Sequence, residues 1–136
     1  MILDRETQVS DGQAITATAV STDTIDLGVA GRDISNAEHF SPFAQVRAAF
    51  NNLTSLEFQI IESANANLSS HVVLATTGAI PLASLVAGAV IQLPKQLPRT
   101  SLRFLGFRYV VAGTAPTAGS VDAGFVMALQ TNKRDF

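Results

Sequence analysis

The chain contains no cysteine and no tryptophan, and only one of its 136 residues is a tyrosine. Without cysteine the fold has neither disulfides nor a thiolate metal site, and two histidines alone offer little to zinc. The opening Met-Ile-Leu is followed at once by Asp-Arg-Glu, so the basic segment and long apolar run of an export signal are missing. We therefore expect a protein made in a reducing host cytoplasm and stabilised by its core alone.

Charge is also scarce. Charged residues make up 15% of the chain, against roughly a quarter in an ordinary soluble domain, and the mean hydropathy is +0.28. The most apolar stretch, residues 79–93, contains Pro81, Ser84 and Gln92 and falls short of the roughly 20 residues that cross a bilayer. A net charge of −2 argues against a nucleic-acid partner, which needs a basic face. Contact with other proteins is the better explanation of so apolar a chain.

The two halves of the chain differ in charge. Residues 1–68 carry three basic and nine acidic side chains, whereas residues 69–136 carry six basic and two acidic ones. Patches of opposite sign favour packing against copies or partners. A fold that interleaves the halves would erase this asymmetry, so the sequence leaves both outcomes open.

Short strand signals recur about every ten to fifteen residues, separated by Gly, Pro, Asn, Asp and Ser, which is typical of a β-sandwich or barrel. The pattern predicts a hairpin from the first two strands, an exposed loop over residues 63–70 and a helical turn beginning at Pro81. We expect one all-β domain of about eight strands over residues 1–136. The predicted strands are residues 14–20, 24–27, 56–63, 72–77, 90–93, 102–111 and 121–130, with 43–48 either a strand or a helical turn.

No constellation of catalytic or metal-binding residues is recognisable. His39 and His71 stand alone, so the facial ligand sets of jelly-roll metalloenzymes are missing. Glu57 and Glu62 are separated by an odd number of positions, so on one strand they point to opposite faces and do not form a carboxylate pair. The glycines have neither the dinucleotide nor the P-loop spacing. We expect no enzyme activity, no catalytic residue, no cofactor, no metal and no small-molecule substrate.

The segment 102–111 is apolar on both faces, whereas a sandwich strand is expected to have one wet face. The extra face is covered either by a loop or terminal arm of the same chain or by another subunit. We assign the more continuous apolar row to the interior, which leaves mid-strand Arg108 on the outer face, where arginine beside aromatics is a common interface anchor. The interior row is Leu105, Phe107, Tyr109 and Val111, and the outer row includes Leu102, Phe104, Gly106 and Val110.

Several segments together are similar to a family of tailed-phage capsid cement proteins. The similarity runs over the whole chain and includes the opening MILDRETQVSDGQA, with further matches in residues 21–28, 31–33, 82–93, 102–109 and 114–119. The resemblance implies an antiparallel jelly-roll β-sandwich that forms homodimers. It also implies binding to the outer surface of a podovirus-type icosahedral shell, where the protein clamps neighbouring major capsid protein subunits. It assigns no contact residue in this chain.

From strand geometry and the apolar ends we predict a subunit or capsid interface formed by Ile2, Leu3, Leu102, Phe104, Arg108 and Phe136. Residues 1–11 and 131–136 are predicted to be a mobile arm and tail that become ordered against neighbours. The alternative function is a glycan-binding β-sandwich of a phage fibre or lectin type. Sugar binding usually needs aromatic platforms among polar side chains, and the single tyrosine, Tyr109, lies in an apolar strand.

Overall fold

The computed structural model describes residues 5–31, 41–94 and 99–126. Within these ranges the chain forms eight strands and one short 3-10 turn. The prediction of an all-β domain of about eight antiparallel strands is confirmed. The strands are β1 (Gln8–Ala14), β2 (Ala19–Val20), β3 (Ile25–Asp26), β4 (Ser41–Ala48), β5 (Leu53–Ser63), β6 (Val72–Pro81), β7 (Phe104–Gly113) and β8 (Ser120–Val126), and the 3-10 turn is Leu82–Ser84.

The strands make two antiparallel sheets. One has the order β1-β8-β4, and the other has the order β2-β7-β5-β6, with β3 paired to β7 beside β2. The first sheet is extended beyond β4 by residues 88–91, where the backbone N–H of Ile91 donates to the carbonyl of Ala44 at 2.9 Å. Strands that follow each other in the chain are thus often in different sheets, so the two sheets fold as one unit.

The core lies between the sheets and is rich in aromatic rings. Phe107 of β7 packs on Phe125 of β8 across the sandwich, with ring centroids 5.5 Å apart. Tyr109 stacks beside Phe107 at 6.4 Å and meets the edge of Phe58 at 5.5 Å. Leu105 is fully buried in the same cluster. The interior row predicted for β7 is therefore confirmed at Leu105, Phe107 and Tyr109, and Val111 packs partly against the core.

Two buried polar groups make hydrogen bonds between distant parts of the chain. The Tyr109 hydroxyl forms a 2.6 Å hydrogen bond with Ser10 Oγ, and burial raises the pKa of that hydroxyl well above its ordinary value. Glu62 is 4% exposed, and its carboxylate accepts hydrogen bonds from the backbone N–H groups of Ser101 and Leu102 at 2.8 and 3.1 Å. Buried polar atoms need such partners, so Glu62 fixes the chain just before β7.

The first predicted strand, residues 14–20, is wrong. The strand is β1, Gln8–Ala14, and residues 16–18 form bends before the two residues of β2. The outer side of β1 is polar, which conceals its strand character, but Val9 and Ser10 are fully buried against β8. Residues 8–11 of the predicted mobile arm therefore belong to a paired strand. The predicted hairpin is also wrong, because β2 and β3 both pair with β7.

Other boundaries shift less. Residues 43–48 lie in a strand, β4, that begins at Ser41 and includes Pro42. The predicted strand 90–93 is reduced to a single bridge between Val90 and Gln45. The predicted helical turn at Pro81 is present as the 3-10 turn, for which Pro81 is the N-cap. The described part of the last predicted strand is β8, and residues 127–130 lie outside the described residues.

The outer face of β7 is covered in part by the chain itself. Leu68, in the loop predicted to be exposed, is 1% exposed. Its Cδ1 atom would lie only 2.5 Å from a Cβ atom added at Gly106. The glycine therefore leaves room for Leu68, and Leu68 holds the loop against the sheet with a left-handed φ of 59°. At Gly106, therefore, the outer face of β7 is covered by a loop of the same chain.

Candidate interaction surface

No Asp, Glu, Lys or Arg occurs between Glu62 and Lys95. Folding places most of this charge-free run along one side of the sandwich. Strand β6 is the last strand of its sheet, and residues 88–91 form the border of the other sheet beyond β4. We call β6 together with residues 82–92 the neutral edge.

The neutral edge carries most of the exposed large apolar side chains of the described residues. Four of the five are Val72, Val73, Val86 and Val90, which are 51%, 43%, 53% and 55% exposed. The fifth, Val29, is 57% exposed and follows β3. Single exposed apolar residues are normal on a protein surface, but four of them along one uncharged edge make that edge a candidate interaction site. In the sequence, the signal for this surface is the long run without charged residues. From the sequence, the apolar stretch 79–93 was considered only as a possible membrane span, and no interaction surface was predicted there.

A pocket of about 260 Å³ opens on the neutral edge, between the borders of the two sheets. It is smaller than the roughly 300–1,000 Å³ of ordinary small-molecule sites. A pocket of this size suits an apolar side chain of a partner better than a free ligand. Its lining residues are Thr77, Ile80, Ser84, Val90, Ile91 and Gln92.

The backbone of β6 is irregular, which limits direct strand pairing with a partner. Its register against β5 shifts twice, and Gly78 has a left-handed φ of 71° beside one of the shifts. At the same place the N–H of Phe58 donates to the Thr77 side chain at 3.2 Å. Bulges of this kind twist an edge strand away from other strands. A partner would therefore contact the neutral edge mainly through apolar side chains.

One charged group borders the neutral edge, since the Glu57 carboxylate on β5 accepts a hydrogen bond from the Thr76 hydroxyl, and the ion-paired groups of the described residues lie on other surfaces. Arg47 on β4 is within 2.7 Å of Asp11 on β1 and 2.8 Å of Asp122 on β8, so all three strands of that sheet contribute to one charged cluster. At the start of β7, Arg103 donates two hydrogen bonds to the Asp26 carboxylate at 2.8 and 2.9 Å. This contact with Arg103 holds the pKa of Asp26 down at about 2. The neutral edge thus differs from these two ion-paired surfaces in that none of its own residues is charged.

The structure places three of the predicted interface residues near β7. Phe104 is partly exposed, and the Arg103 guanidinium carbon lies 5.1 Å from the centroid of its ring. Arg108, on the same outer face, donates to Gln59 on β5 at 3.1 Å. Leu102 precedes the strand and is partly buried. Leu68 covers Gly106 between Phe104 and Arg108, so these residues do not form one continuous apolar patch.

The other three predicted interface residues, Ile2, Leu3 and Phe136, lie outside the described residues, as do the rest of residues 1–4 and the predicted tail 131–136. His39 lies outside them as well. Within residues 5–31, 41–94 and 99–126, no group of three His, Cys, Asp or Glu side chains is arranged to hold a metal ion. The same ranges contain no helix with the length and hydropathy to span a membrane.

Comparison with models of known protein families assigns the chain to one family. It belongs to the Bbp16 family, whose model matches residues 9–125. The match begins in β1 and ends in β8, so it includes both sheets. The family name states no activity. A search of curated proteins found no match.

Proposed function

We propose that this chain is a virion structural protein, a capsid cement protein that binds the outer surface of an icosahedral tailed-phage shell. In this role it clamps neighbouring major capsid protein subunits and acts without chemistry of its own. The observation that carries the proposal is the outer face of β7, where the partly exposed ring of Phe104 lies beside Arg103 and Arg108 is on the same face, because such side chains are typical of contacts with protein. The resemblance of the sequence to phage cement proteins indicates that the partner protein is the major capsid protein.

The strand order supports a jelly-roll interpretation of the sandwich. A jelly roll has eight strands in two sheets, with chain neighbours distributed between the sheets. Here β1 lies beside β8, and residues 88–91 extend the β1-β8-β4 sheet to a fourth position. The facing sheet has four positions when β2 and β3 are taken as two parts of one interrupted strand beside β7.

The outer face of β7 is the part of the described chain that we assign to the shell. Phe104 offers a partly exposed ring under a guanidinium group, and Arg108 lies two residues beyond Gly106 on the same face. Aromatic and arginine side chains are the types that most often dominate protein interfaces. A cement protein repeats such a modest contact many times over a shell, and the combined avidity far exceeds that of one contact.

The test uses shells assembled without this protein from the phage that encodes it. Purified chain is titrated onto the shells, and co-sedimentation measures how much is bound. We expect saturable binding, and Phe104→Asp should weaken it by about thirtyfold, the effect of losing a typical hot-spot residue. Ala115→Asp is the matched control, because it adds the same charge at an exposed turn.

Absence of saturable binding by the unaltered chain would contradict the proposal. Binding to a glycan array without binding to shells would favour the lectin-type alternative instead. Equal binding by Phe104→Asp and Ala115→Asp would leave the shell as partner but move the contact away from the outer face of β7.

A further inference from the structure

We propose that two charged residues, Arg108 on β7 and Glu57 on β5, together recognise the shell. The capsid protein presents a carboxylate to Arg108 and a basic side chain to Glu57, and this pair of contacts fixes the direction in which the chain docks. The inference rests on the cement function proposed above and deepens it, since it names the chemistry of the surface that the chain binds.

Both charges lie on the outer face of the same sheet. The residues on either side of Arg108 in β7 are fully buried in the core, and so are the residues on either side of Glu57 in β5. Because successive side chains of a strand point to opposite faces, Arg108 and Glu57 point outward. Each of them is partly exposed.

The two charges are diagonal neighbours across the β5–β7 pair. Arg108 is directly opposite Gln59, and Glu57 is directly opposite Val110. Diagonal neighbours of an antiparallel pair are separated by roughly 7–8 Å, which long side chains can bridge. A surface that covers one of these charges therefore also covers the other.

Each charge is held by a neutral side chain instead of by the other charge. The Arg108 guanidinium donates to the Gln59 side-chain oxygen at 3.1 Å. The Glu57 carboxylate accepts a hydrogen bond from the Thr76 hydroxyl of β6, on the side of β5 that faces away from β7. Among the described residues, neither Arg108 nor Glu57 forms an ion pair.

Comparison with two other arginines shows what Arg108 lacks. Arg47 is paired with two carboxylates, and Arg103 donates two hydrogen bonds to one carboxylate. A guanidinium has five N–H donors in a planar fork that suits a carboxylate, and the single bond to Gln59 leaves donors free. When a partner covers Arg108 and removes its water, a carboxylate of that partner offsets the loss.

Glu57 imposes the opposite requirement one diagonal step away. A partner with a carboxylate alone would be repelled by Glu57, whereas a partner with a lysine or arginine at that point is attracted by both charges. A partner turned the other way would bring like charges together at both positions. The order of the two charges therefore selects one docking orientation.

The first experiment measures binding to shells assembled without this protein, by co-sedimentation at several salt concentrations. The test variants Arg108→Gln and Glu57→Gln each remove one charge. The matched controls, Arg47→Gln and Asp11→Asn, remove the same charges from an ion pair on the other sheet. We expect each test variant to raise the dissociation constant about tenfold and to weaken the salt dependence of binding. The controls should bind as the unaltered chain does.

Charge reversal tests the docking orientation. Arg108→Glu and Glu57→Lys should each raise the dissociation constant on the order of a hundredfold, because each places like charges in contact. The double variant has the net charge of the unaltered chain but the reversed order, so it should bind no better than either single variant. Recovery of binding in the double variant would overturn the proposal. If a reversed variant fails to fold, the neutral variants still decide whether the two charges bind the shell.

Thermal melts of single and double variants separate a lost contact from a change within the chain. Arg47→Gln and Asp11→Asn should show coupled losses of stability, because these residues are paired with each other. The effects of Arg108→Gln and Glu57→Gln should be additive, because each charge has its own neutral partner. Coupled losses in the second pair would mean that the two charges pair with each other in solution, and the proposal would be wrong.

A second experiment identifies the partner carboxylate. Arg108→Lys introduces an amine, and a carbodiimide joins an amine to a carboxylate that is in contact with it. In decorated shells we expect a cross-link from position 108 to an Asp or Glu of the capsid protein, identified by mass spectrometry. Arg47→Lys is the control and should cross-link to Asp11 or Asp122 of its own chain. A cross-link from position 108 to Glu57 would overturn the proposal.

The outcomes keep this inference separate from the cement function. If the unaltered chain does not bind shells, the cement function is wrong. If it binds shells and the neutral and reversed variants of both residues bind as tightly as it does, the cement function stands and the recognition by Arg108 and Glu57 is wrong.

Discussion

Strands β6 and β7 belong to the same sheet, have ten residues each and are both predominantly apolar, yet their surroundings differ. Strand β7 lies between β5 and the short strands β2 and β3, and its interior side chains Leu105, Phe107 and Tyr109 are fully buried. Strand β6 lies at the edge, and Val72 and Val73 are about half exposed. Position in the sheet, and not hydrophobicity alone, therefore decides whether an apolar strand forms core or contact surface.

The largest effect is expected from a charge on the inner side of β7. Phe107→Asp places a carboxylate between Tyr109 and Phe125, where no described basic group pairs with it, and the cost of several kcal/mol is comparable to the whole stability of a small domain. We expect loss of the cooperative thermal transition by circular dichroism. A folded variant that melts near the temperature of the unaltered protein would show that β7 does not form the core.

The sequence contained enough information to predict β7 but not the role of β6. Alternation of Phe107 and Tyr109 with Arg108 indicates a two-sided strand, and the assignment of its interior face is confirmed. Strand β1 was missed because its outer positions are polar and only Val9 and Ser10 are fully buried in it. The neutral edge depends on which strand is last in its sheet, and strand order is set by contacts between distant residues that a local pattern does not contain.

The outer side of β7 gives a second, smaller effect. Gly106→Ala directs a methyl group at the Leu68 side chain and at Ser21 Oγ, 3.0 Å from the added Cβ atom. We expect a loss of about 1–3 kcal/mol from overpacking, and Leu68→Ala alone should cost about 2–5 kcal/mol as a buried leucine lost to a cavity. Denaturant unfolding of both single variants and of the double variant measures the coupling between them.

The double variant should be more stable than the sum of the two losses predicts, because alanine at position 106 then fills part of the space that Leu68 leaves. Additive losses would mean that Leu68 does not lie on Gly106. In that case the outer face of β7 would be open for a subunit contact, and the contrast with β6 would disappear.

Phe104→Asp should change the free energy of unfolding by only about 1 kcal/mol, the range of strand propensity at a partly exposed position. The ring lies outside the core and is covered on one side by Arg103, whereas Phe107 is enclosed by other rings. Thermal melts and light scattering of this variant are compared with those of Phe107→Asp. A reversed order of stability would mean that the two faces of β7 had been exchanged. If the chain forms the predicted homodimer and Phe104→Asp abolishes it, self-association would be placed on the outer face of β7.

The smallest effect concerns the ion pair at the start of β7, which has no counterpart on β6. The hydrogen bonds from Arg103 lower the pKa of Asp26 from 3.8 to about 2 in the folded chain. A carboxylate with a lowered pKa stabilises the folded state above its unfolded pKa, and that contribution is lost as the pH falls from 3.8 towards 2. In Asp26→Asn the amide oxygen can still accept the 2.8 Å hydrogen bond from the N–H of Gly28, so chiefly the charge is removed. We expect a slightly lower melting temperature than that of the unaltered protein at pH 6, and a difference that shrinks as the pH falls below 3.8 and vanishes below about pH 2. At low pH the carboxyl group of Asp26 is protonated and has the same zero charge as the amide of Asn, so an effect of the ion pair must disappear there. A difference in melting temperature that does not depend on pH would instead assign the effect of the substitution to the turn that contains Asp26.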